Sequence, residues 1–424
     1  MSLTQCLSLI AGATLAGTAV ADSAITADEA RAIVAEMLAD AETRSSLQSS
    51  GGNAGHDGKF FLASPGGDFR LNVGGQIQFR YMANFGDDLG GDVDRDVERG
   101  FQTRRTKLTF SGTVYDDIDF KVNGAFDRDG GDFSLEDAYV KFNIDENSNV
   151  AIGQFKAPFL REELVSSSRQ LTADRSVANE VFNQDRSQGI AYNYNSDDWR
   201  FMGAFSDGAN TDNTDYTGSN NATGAWGGGE NDLSFTARFE YKGAGTWSQF
   251  KDFTSEAGAE TAWMIGAAGH YEGGEINGNS SLDYDNFGYT VDVSLEGDGW
   301  SVFGAFIGRE LDIDGGTDAS DFGHVLQASF RIPESKWEVF GRWDGVYADS
   351  SYTNDEDFNT LTFGANYYMH GHAAKFTVDV QYFIDEIGNN DIVSANSGIG
   401  LLGDGASGEN DGEFGIRAQF QLLF

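Results

Sequence analysis

From Phe69 to the end of the chain, apolar and polar residues alternate with a period of two, which is typical of β-strands with one apolar face. The first run, Phe69 to Phe85, is longer than most strands of soluble proteins. Similar runs recur at 118–126, 233–241, 287–295 and 414–424. The pattern predicts about sixteen strands in all.

The connections between these runs alternate in length. Short turns fall near 116–117, 145–147, 196–198, 297–298, 333–334 and 371–372, and long acidic or glycine-rich loops near 86–99, 157–187, 207–231, 273–283, 312–320, 348–356 and 386–412. Segment 243–259 is irregular, because it stands at a short-turn position but is longer. Short turns at one end and long loops at the other are typical of outer-membrane β-barrels. With an even number of strands, the chain enters and leaves the barrel on the same side, which is the periplasmic side.

Tryptophan positions support this interpretation. Trp199, Trp263, Trp300 and Trp337 are predicted to begin strands that rise from the short turns, all on the apolar face. They then share one depth, as in an interfacial aromatic girdle. The alternative, a soluble acidic β protein, would scatter them through a core. The fold class predicted is therefore all-β: a transmembrane antiparallel β-barrel of about 16 strands, preceded by a short N-terminal helical segment in the periplasm.

The N-terminus predicts export. Residues 1–21 contain no charged side chain and end in Ala19-Val20-Ala21, a small-x-small pattern suited to signal-peptide cleavage. The alternative is a buried N-terminal helix. Together with the predicted barrel, a cleaved signal peptide predicts that the mature protein lies in the bacterial outer membrane.

A short helix is predicted over 26–48, because Thr26 and Glu29 form a capping box ahead of an apolar stripe. Two roles stay open, a short oligomeric coiled coil and a loosely ordered periplasmic tail. The predicted organisation is a signal peptide (1–21), a helical and linker segment in the periplasm (22–64) and the barrel (65–424).

Composition excludes several other classes. The 28 Lys and Arg against 67 Asp and Glu give a net charge of −39, which argues against nucleic-acid binding. The 1 cysteine excludes a disulfide framework. After the N-terminus no apolar run is long enough for a transmembrane helix. A Gly- and aromatic-rich acidic β protein remains.

Strand parity divides this charge unevenly. Many acids lie in the long loops, whereas more than half of the 28 basic residues fall on the face opposite the apolar one. One interpretation is that a water-filled lumen tolerates any charge; the other is a row of cations that lowers the barrier for anions. Inward acids, among them Glu136, Glu240, Asp292, Glu338 and Asp379, could pair with the bases. The residues predicted to line an anion path are Arg80, Arg105, Lys107, Lys121, Arg238, Arg342 and Arg417.

The 157–187 loop has a helix-compatible composition and is predicted to fold into the lumen and narrow it. Lys156, Arg161, Arg169 and Arg175 would then lie nearest the constriction. Alternatively, these arginines pair with Glu162, Glu163 and Asp174 to hold the loop together.

Several motifs resemble the phosphate-selective porin O and P family. Gly153-Gln154-Phe155-Lys156-Ala157-Pro158-Phe159 is similar to the family's Gly-Gln-Phe-Lys-x-Pro-Phe signature, and 104–112 with 115–120 resembles its second and third strands. The terminal Phe424 resembles the signal by which outer-membrane barrels are recognised by the assembly machinery. The resemblance covers roughly 65–424 and implies a trimeric sixteen-stranded porin. That family's defining members line the pore with an arginine ladder and place lysines at the constriction. Here acids interrupt the ladder, and the loop carries arginines instead.

No catalytic residue, metal site or cofactor is predicted. The 5 histidines are scattered, and His370 and His372 lack nearby carboxylates in sequence. The hypothesis is a passive outer-membrane porin for small hydrophilic solutes, anions such as phosphate among them. The alternatives are a general or cation-preferring porin and a non-transporting barrel that acts in adhesion or envelope anchoring.

Overall fold

The computed structural model describes residues 36, 54–85, 97–128, 130–211, 213, 229–276, 283–349, 357–385 and 414–424. The chain divides into two units, 1–53 and 54–424. Apart from residue 36, the helix predicted over 26–48 lies outside the described residues, as do most of the long loops. No helix in the described part of the chain is long and apolar enough to cross a membrane.

Sixteen antiparallel strands form a closed barrel, as predicted. Each strand pairs with its sequence neighbour, and the last pairs with the first from Leu423–Gln76 to Phe414–Phe85. The strands are β3 Phe69–Phe85, β4 Val97–Val114, β5 Ile118–Phe126, β6 Phe133–Asn143, β7 Ser148–Lys156, β8 Arg186–Asn195, β9 Trp199–Ser206, β10 Gly229–Ala244, β11 Ala262–Ile276, β12 Asp283–Gly297, β13 Trp300–Ile313, β14 Ala319–Arg331, β15 Trp337–Tyr347, β16 Phe358–His370, β17 Ala374–Phe383 and β18 Phe414–Leu423.

A short hairpin precedes the barrel. Its strands are β1 Ala54–His56 and β2 Phe60–Ala63, and β2 pairs with β3. From the sequence, these residues are predicted to belong to the linker before the barrel. The run Phe60-Phe61-Leu62 supplies the local β-propensity, and the free lower edge of β3 supplies the partner.

The apolar alternation places large side chains on the outer wall. Exposed examples on this wall are Phe79, Phe235, Phe287 and Phe306. The residues next to each of them in sequence turn inward. All four tryptophans of the predicted girdle lie at or next to the first residue of β9, β11, β13 or β15. The predicted girdle position is thus confirmed.

The two ends of the barrel differ. At one end, here called the short-turn end, tight turns join β4 to β5, β6 to β7, β8 to β9, β12 to β13, β14 to β15 and β16 to β17. The longer connection from β10 to β11 also lies at this end. The other end, here called the long-loop end, carries the remaining connections, of which 157–185 folds into the lumen as predicted. We call residues 157–185 the inward loop. It contains two short helices, α1 Arg161–Leu164 and α2 Val177–Phe182.

An apolar core lies inside the barrel, although the sequence predicts a water-filled lumen. Phe159 and Phe182 of the inward loop pack against Phe303, Phe340 and Phe358 of the wall, all at most 5% exposed. These wall residues have inward parity. The inward loop therefore covers one side of the lumen, along β10–β18 and part of β3, and leaves the other side open.

Candidate functional site: a basic cavity beside the inward loop

Four of the predicted path arginines face inward but are buried beneath the inward loop. Arg80, Arg238, Arg342 and Arg417 are 0–2% exposed. Each pairs with a carboxylate of the barrel wall or of the inward loop: Arg80 with Asp174, Arg238 with Asp292 (2.8 Å), Arg342 with Asp344 (2.9 Å) and Arg417 with Asp379 (2.7 Å).

Three of these buried guanidinium groups, those of Arg80, Arg238 and Arg342, also hold the inward loop through its main-chain carbonyls. Arg238 donates from Nη1 to the oxygen of Phe159 (3.0 Å), and Arg342 donates from Nη1 to that of Asp174 (3.0 Å). Charged donors make such bonds roughly twice as strong as neutral ones. In this conformation the buried arginines position the loop, and the accessible charge lies elsewhere.

A β-bulge on β4 turns two consecutive arginines into the lumen. Gln78 pairs with Arg105 and Phe79 with Thr103, so Arg104 is the extra residue. A bulge re-aims side chains in this way. The side chains of Arg104 and Arg105 both reach Asp174 of the inward loop, at 3.2 Å and 3.0 Å. Strict alternation would have turned Arg104 outward.

A second bulge, on β6, does the same for two acids. Asn123 pairs with Asp137 and Gly124 with Leu135, which leaves Glu136 as the extra residue. Glu136 then accepts from the predicted path residue Lys107, and Asp137 from Lys121 (2.7 Å). Arg186, at the start of β8, donates to both acids, at 3.3 Å and 3.0 Å.

A cavity of about 940 Å³ lies on the open side of the lumen, between these strands and the inward loop. Basic side chains in its lining outnumber acidic ones, despite the net charge of −39. The bases are Lys59, Lys107, Lys121, Lys141, Lys156, Arg169, Arg175 and Arg186, and the acids are Glu136, Asp137 and Glu163.

The inward loop's bases divide between the two roles foreseen for them. Arg169 and Arg175 line the cavity together with Lys156. Arg175 also pairs with Glu163 at 3.1 Å, so it both lines the cavity and braces the loop. Arg161 is buried and instead donates to Ser294 Oγ and to the oxygen of Phe250, each at 2.9 Å.

Phe250 belongs to a segment whose role the sequence does not predict. The irregular connection from β10 to β11, residues 245–261, contains a 3₁₀ turn at Gln249–Lys251 and folds against the inward loop and the wall. Asp252 accepts from Arg169 at 3.2 Å, and Thr254 donates to Glu338 at 2.5 Å. Its unusual length and its two phenylalanines were the available signals.

Burial and neighbouring charges shift the pKa values of the inward loop's carboxyls. Burial by itself would raise the pKa of Glu163, but Arg175 and Lys156 outweigh it and lower that pKa to about 2. Burial also opposes ionisation of Asp174, yet Arg104, Arg80 and Arg105 hold its pKa well below the usual range. Glu180 of α2 differs, because burial and the nearby Glu163 raise its pKa to about 7.

The C-terminal residue closes the barrel next to the hairpin. The main chain of Phe424 exchanges two hydrogen bonds with Gly75 of β3, at 2.8 Å and 3.1 Å. A Cβ at position 75 would overlap the Phe424 ring, which explains the glycine. Whether Phe424 serves as an assembly signal stays a prediction.

Among the described residues, no three His, Cys, Asp or Glu side chains are grouped so that they could hold a metal ion. The acids of the cavity are instead engaged by lysine and arginine. The accessible bases suit the passage or loose binding of a small anion.

Comparison with solved structures agrees with the fold. The anion-selective porin from Comamonas acidovorans is similar at a TM-score of 0.57 and 12% identity, covering 84% of this chain and 100% of that chain. The outer membrane channel DcaP of Acinetobacter baumannii gives 0.55 and 13%, covering 85% and 99%. OprB of Pseudomonas putida gives 0.52 and 9%, covering 84% and 94%.

No curated protein matches the sequence. The model of the phosphate-selective porin O and P family matches residues 75–296, just over half of the 424 residues, and the match agrees with the resemblance seen in the motifs. The fold and the family of this chain are those of channel proteins of the outer membrane. The chain therefore belongs to the phosphate-selective porin O and P family.

Proposed function

We propose that this protein is a passive outer-membrane porin that prefers small hydrophilic anions, phosphate among them. The observation that carries the proposal is the cavity of about 940 Å³ beside the inward loop, in which basic side chains outnumber acidic ones. A cavity whose lining carries mostly charges of one sign, within low-dielectric walls, raises the local concentration of ions of the opposite charge. The anion path is built from the accessible bases, not from the four buried arginines.

The pairing of these bases suits transport better than tight capture. Lys107 and Lys121 each already share a carboxylate with Arg186, so an incoming anion meets a partly compensated cation. Conduction requires binding weak enough for release. The anion preference is therefore expected to be moderate.

Further features of the proposal follow from the family and the sequence. The protein is exported by a signal peptide cleaved after residue 21, the short-turn end faces the periplasm, and 22–64 precedes the barrel there. The chain assembles as a homotrimer, and the barrel-assembly machinery recognises the terminal Phe424. Surrounding outer-membrane lipid covers the exposed apolar wall.

The test is the reversal potential of purified protein in a planar bilayer under a potassium chloride gradient. Wild type should prefer chloride, and Lys121→Gln with Lys141→Gln should reduce that preference. Asp137 keeps Arg186 as a partner at 3.0 Å when Lys121 is replaced, so the fold should survive. Lys251→Gln with Lys336→Gln removes the same charge from exposed sites outside the cavity lining and should change little.

The same recordings separate the alternatives. Cation preference in wild type would contradict the anion proposal and favour a general or cation-preferring porin. No conductance from folded protein would favour a non-transporting barrel. Added inorganic phosphate should reduce the chloride current if phosphate shares the path.

A further inference from the structure

The β1–β2 hairpin continues the barrel wall below the last strand. On one edge of β3, residues 76–85 pair with β18 and residues 70–73 pair with β2. Gly75, between these two stretches, is bonded to Phe424. The hairpin therefore follows β18 along the same edge, at the short-turn end.

The hairpin also continues the wall's two faces. Phe60 and Leu62 are more than half exposed and lie opposite Val73 and Leu71, on the outer face. Phe61 pairs with Asn72, on the inner face. Lys59 shares the parity of Phe61, and it lines the cavity together with Gly58.

The tip of the hairpin is held by contacts to β3. Asp57 pairs with Arg70 at 2.6 Å, and the Arg70 guanidinium lies over the Phe61 ring at 4.1 Å. Arg70 is fixed in turn by a bond from its Nε to Asn72 Oδ1 at 2.8 Å. Lys59 thus sits on an anchored turn at the mouth rather than on a free tail.

We infer that the hairpin, residues 54–63, forms part of the short-turn mouth of the pore, and that Lys59 is a selectivity residue supplied from outside the sixteen-stranded barrel. Lys59 stands with Lys121 and Lys141 in the cavity lining and adds positive charge where the lumen opens. A charge at the mouth acts on the ions that pass it. The inference rests on the proposed anion path and adds to it a residue from the segment before the barrel.

The first experiment compares Lys59→Glu with wild type by reversal potential in a potassium chloride gradient. The chloride-to-potassium permeability ratio should fall by about twofold or more, because the change reverses a charge at the mouth. Lys336→Glu is the control, since Lys336 is exposed at the same end but does not line the cavity. Equal small shifts in both variants would overturn the inference, whereas wild type without anion preference would overturn the proposed function instead.

A second experiment reads the position of the side chain directly. In Lys59→Cys protein, a negatively charged thiosulfonate reagent added at the short-turn side should lower the chloride current. Cys6 is the single natural cysteine, and unsubstituted protein treated in the same way controls for it. Lys336→Cys should show no such loss. A current that stays constant after complete labelling of Lys59→Cys would place the hairpin outside the ion path.

Discussion

At the scale of single residues, two bulges decide which charges meet in the lumen. Strict alternation assigns Arg105 to the inner face but not Arg104, and it cannot place both Glu136 and Asp137 there. In the structure each bulge adds one residue, so adjacent like charges point the same way. Paired charged residues within an alternating apolar run were the signal in the sequence.

Glu180 should make ion selectivity depend on pH near neutrality. Its pKa is raised to about 7, chiefly by burial, so the carboxyl is neutral below that pH and negative above it. The lumen is then more positive at low pH. The chloride preference should be higher at about pH 6 than at about pH 8.

In the Glu180→Gln variant the side chain stays neutral, so the difference between the two pH values should shrink. Glu334→Gln, in an exposed turn at the short-turn end, is the matched control and should keep the wild-type response. A pH response that persists unchanged in Glu180→Gln would show that another group controls it.

Gly75 should be needed for the terminal residue to dock. Replacement by Ala or Val adds atoms that overlap the Phe424 ring, which must move away from the wall. We expect a loss of about 1–3 kcal/mol in the free energy of unfolding, more for Val than for Ala. Urea unfolding in detergent, followed by tryptophan fluorescence, measures it.

Gly100→Ala is the control for Gly75. Gly100 also lies in a strand, but a Cβ there meets no atom within 4 Å. The two variants should differ clearly in stability. If Gly75→Val unfolds at the same urea concentration as Gly100→Ala, the docking of Phe424 contributes little.

At the scale of elements, two connections decide the shape of the lumen. Length and composition predict the inward loop, whereas for 243–259, which the structure gives as the connection 245–261, the sequence indicates only an irregular length. Both fold against the same side of the wall, joined by the bond from Arg161 to Phe250. Together they bury inward phenylalanines such as Phe303 and Phe340, so the covered side of the lumen is apolar.

Arg342 should act through the inward loop and not as part of the ion path. Arg342→Met removes the partner of the buried Asp344 and the bonds to Thr172 and Asp174. Stability should fall by about 3 kcal/mol, and single-channel current should become noisier as the loop loosens. Urea unfolding and single-channel recording measure the two effects.

Lys121→Met provides the comparison, because the Lys121 side chain is 35% exposed and lines the cavity. It should shift the reversal potential while leaving the stability nearly unchanged. If Arg342→Met instead alters ion selectivity and leaves stability unchanged, the Arg342 guanidinium faces the ion path.

At the scale of the whole molecule, charge is divided between two regions. The net charge of −39 includes many acids in the long loops, for example Asp87, Asp88 and Asp92, which lie outside the described residues. The cavity lining is basic. The net charge of the chain therefore reflects the acidic loops and not the basic lining of the cavity.

This division predicts an unusual salt dependence. At low salt, the acidic charge of the long loops attracts cations to the pore. This long-range attraction is screened when the Debye length falls from about 10 Å at 0.1 M to about 3 Å at 1 M. Short-range contacts with Lys121 and Lys141 are screened less. Chloride preference should therefore rise with mean salt at a fixed gradient ratio, and a steady fall would contradict the assignment.

The sequence by itself determined the antiparallel barrel, its two unlike ends, the tryptophan depth and the family. These properties follow from period-two alternation and from local turn residues, which a linear chain displays directly. Only the tertiary structure decided which inward bases are accessible. Arg238 and Lys121 have the same parity pattern, yet one is buried beneath the inward loop and the other lines the cavity. That difference depends on where residues 157–185 and 245–261 pack, through contacts between positions far apart in the chain, and no local pattern encodes such contacts.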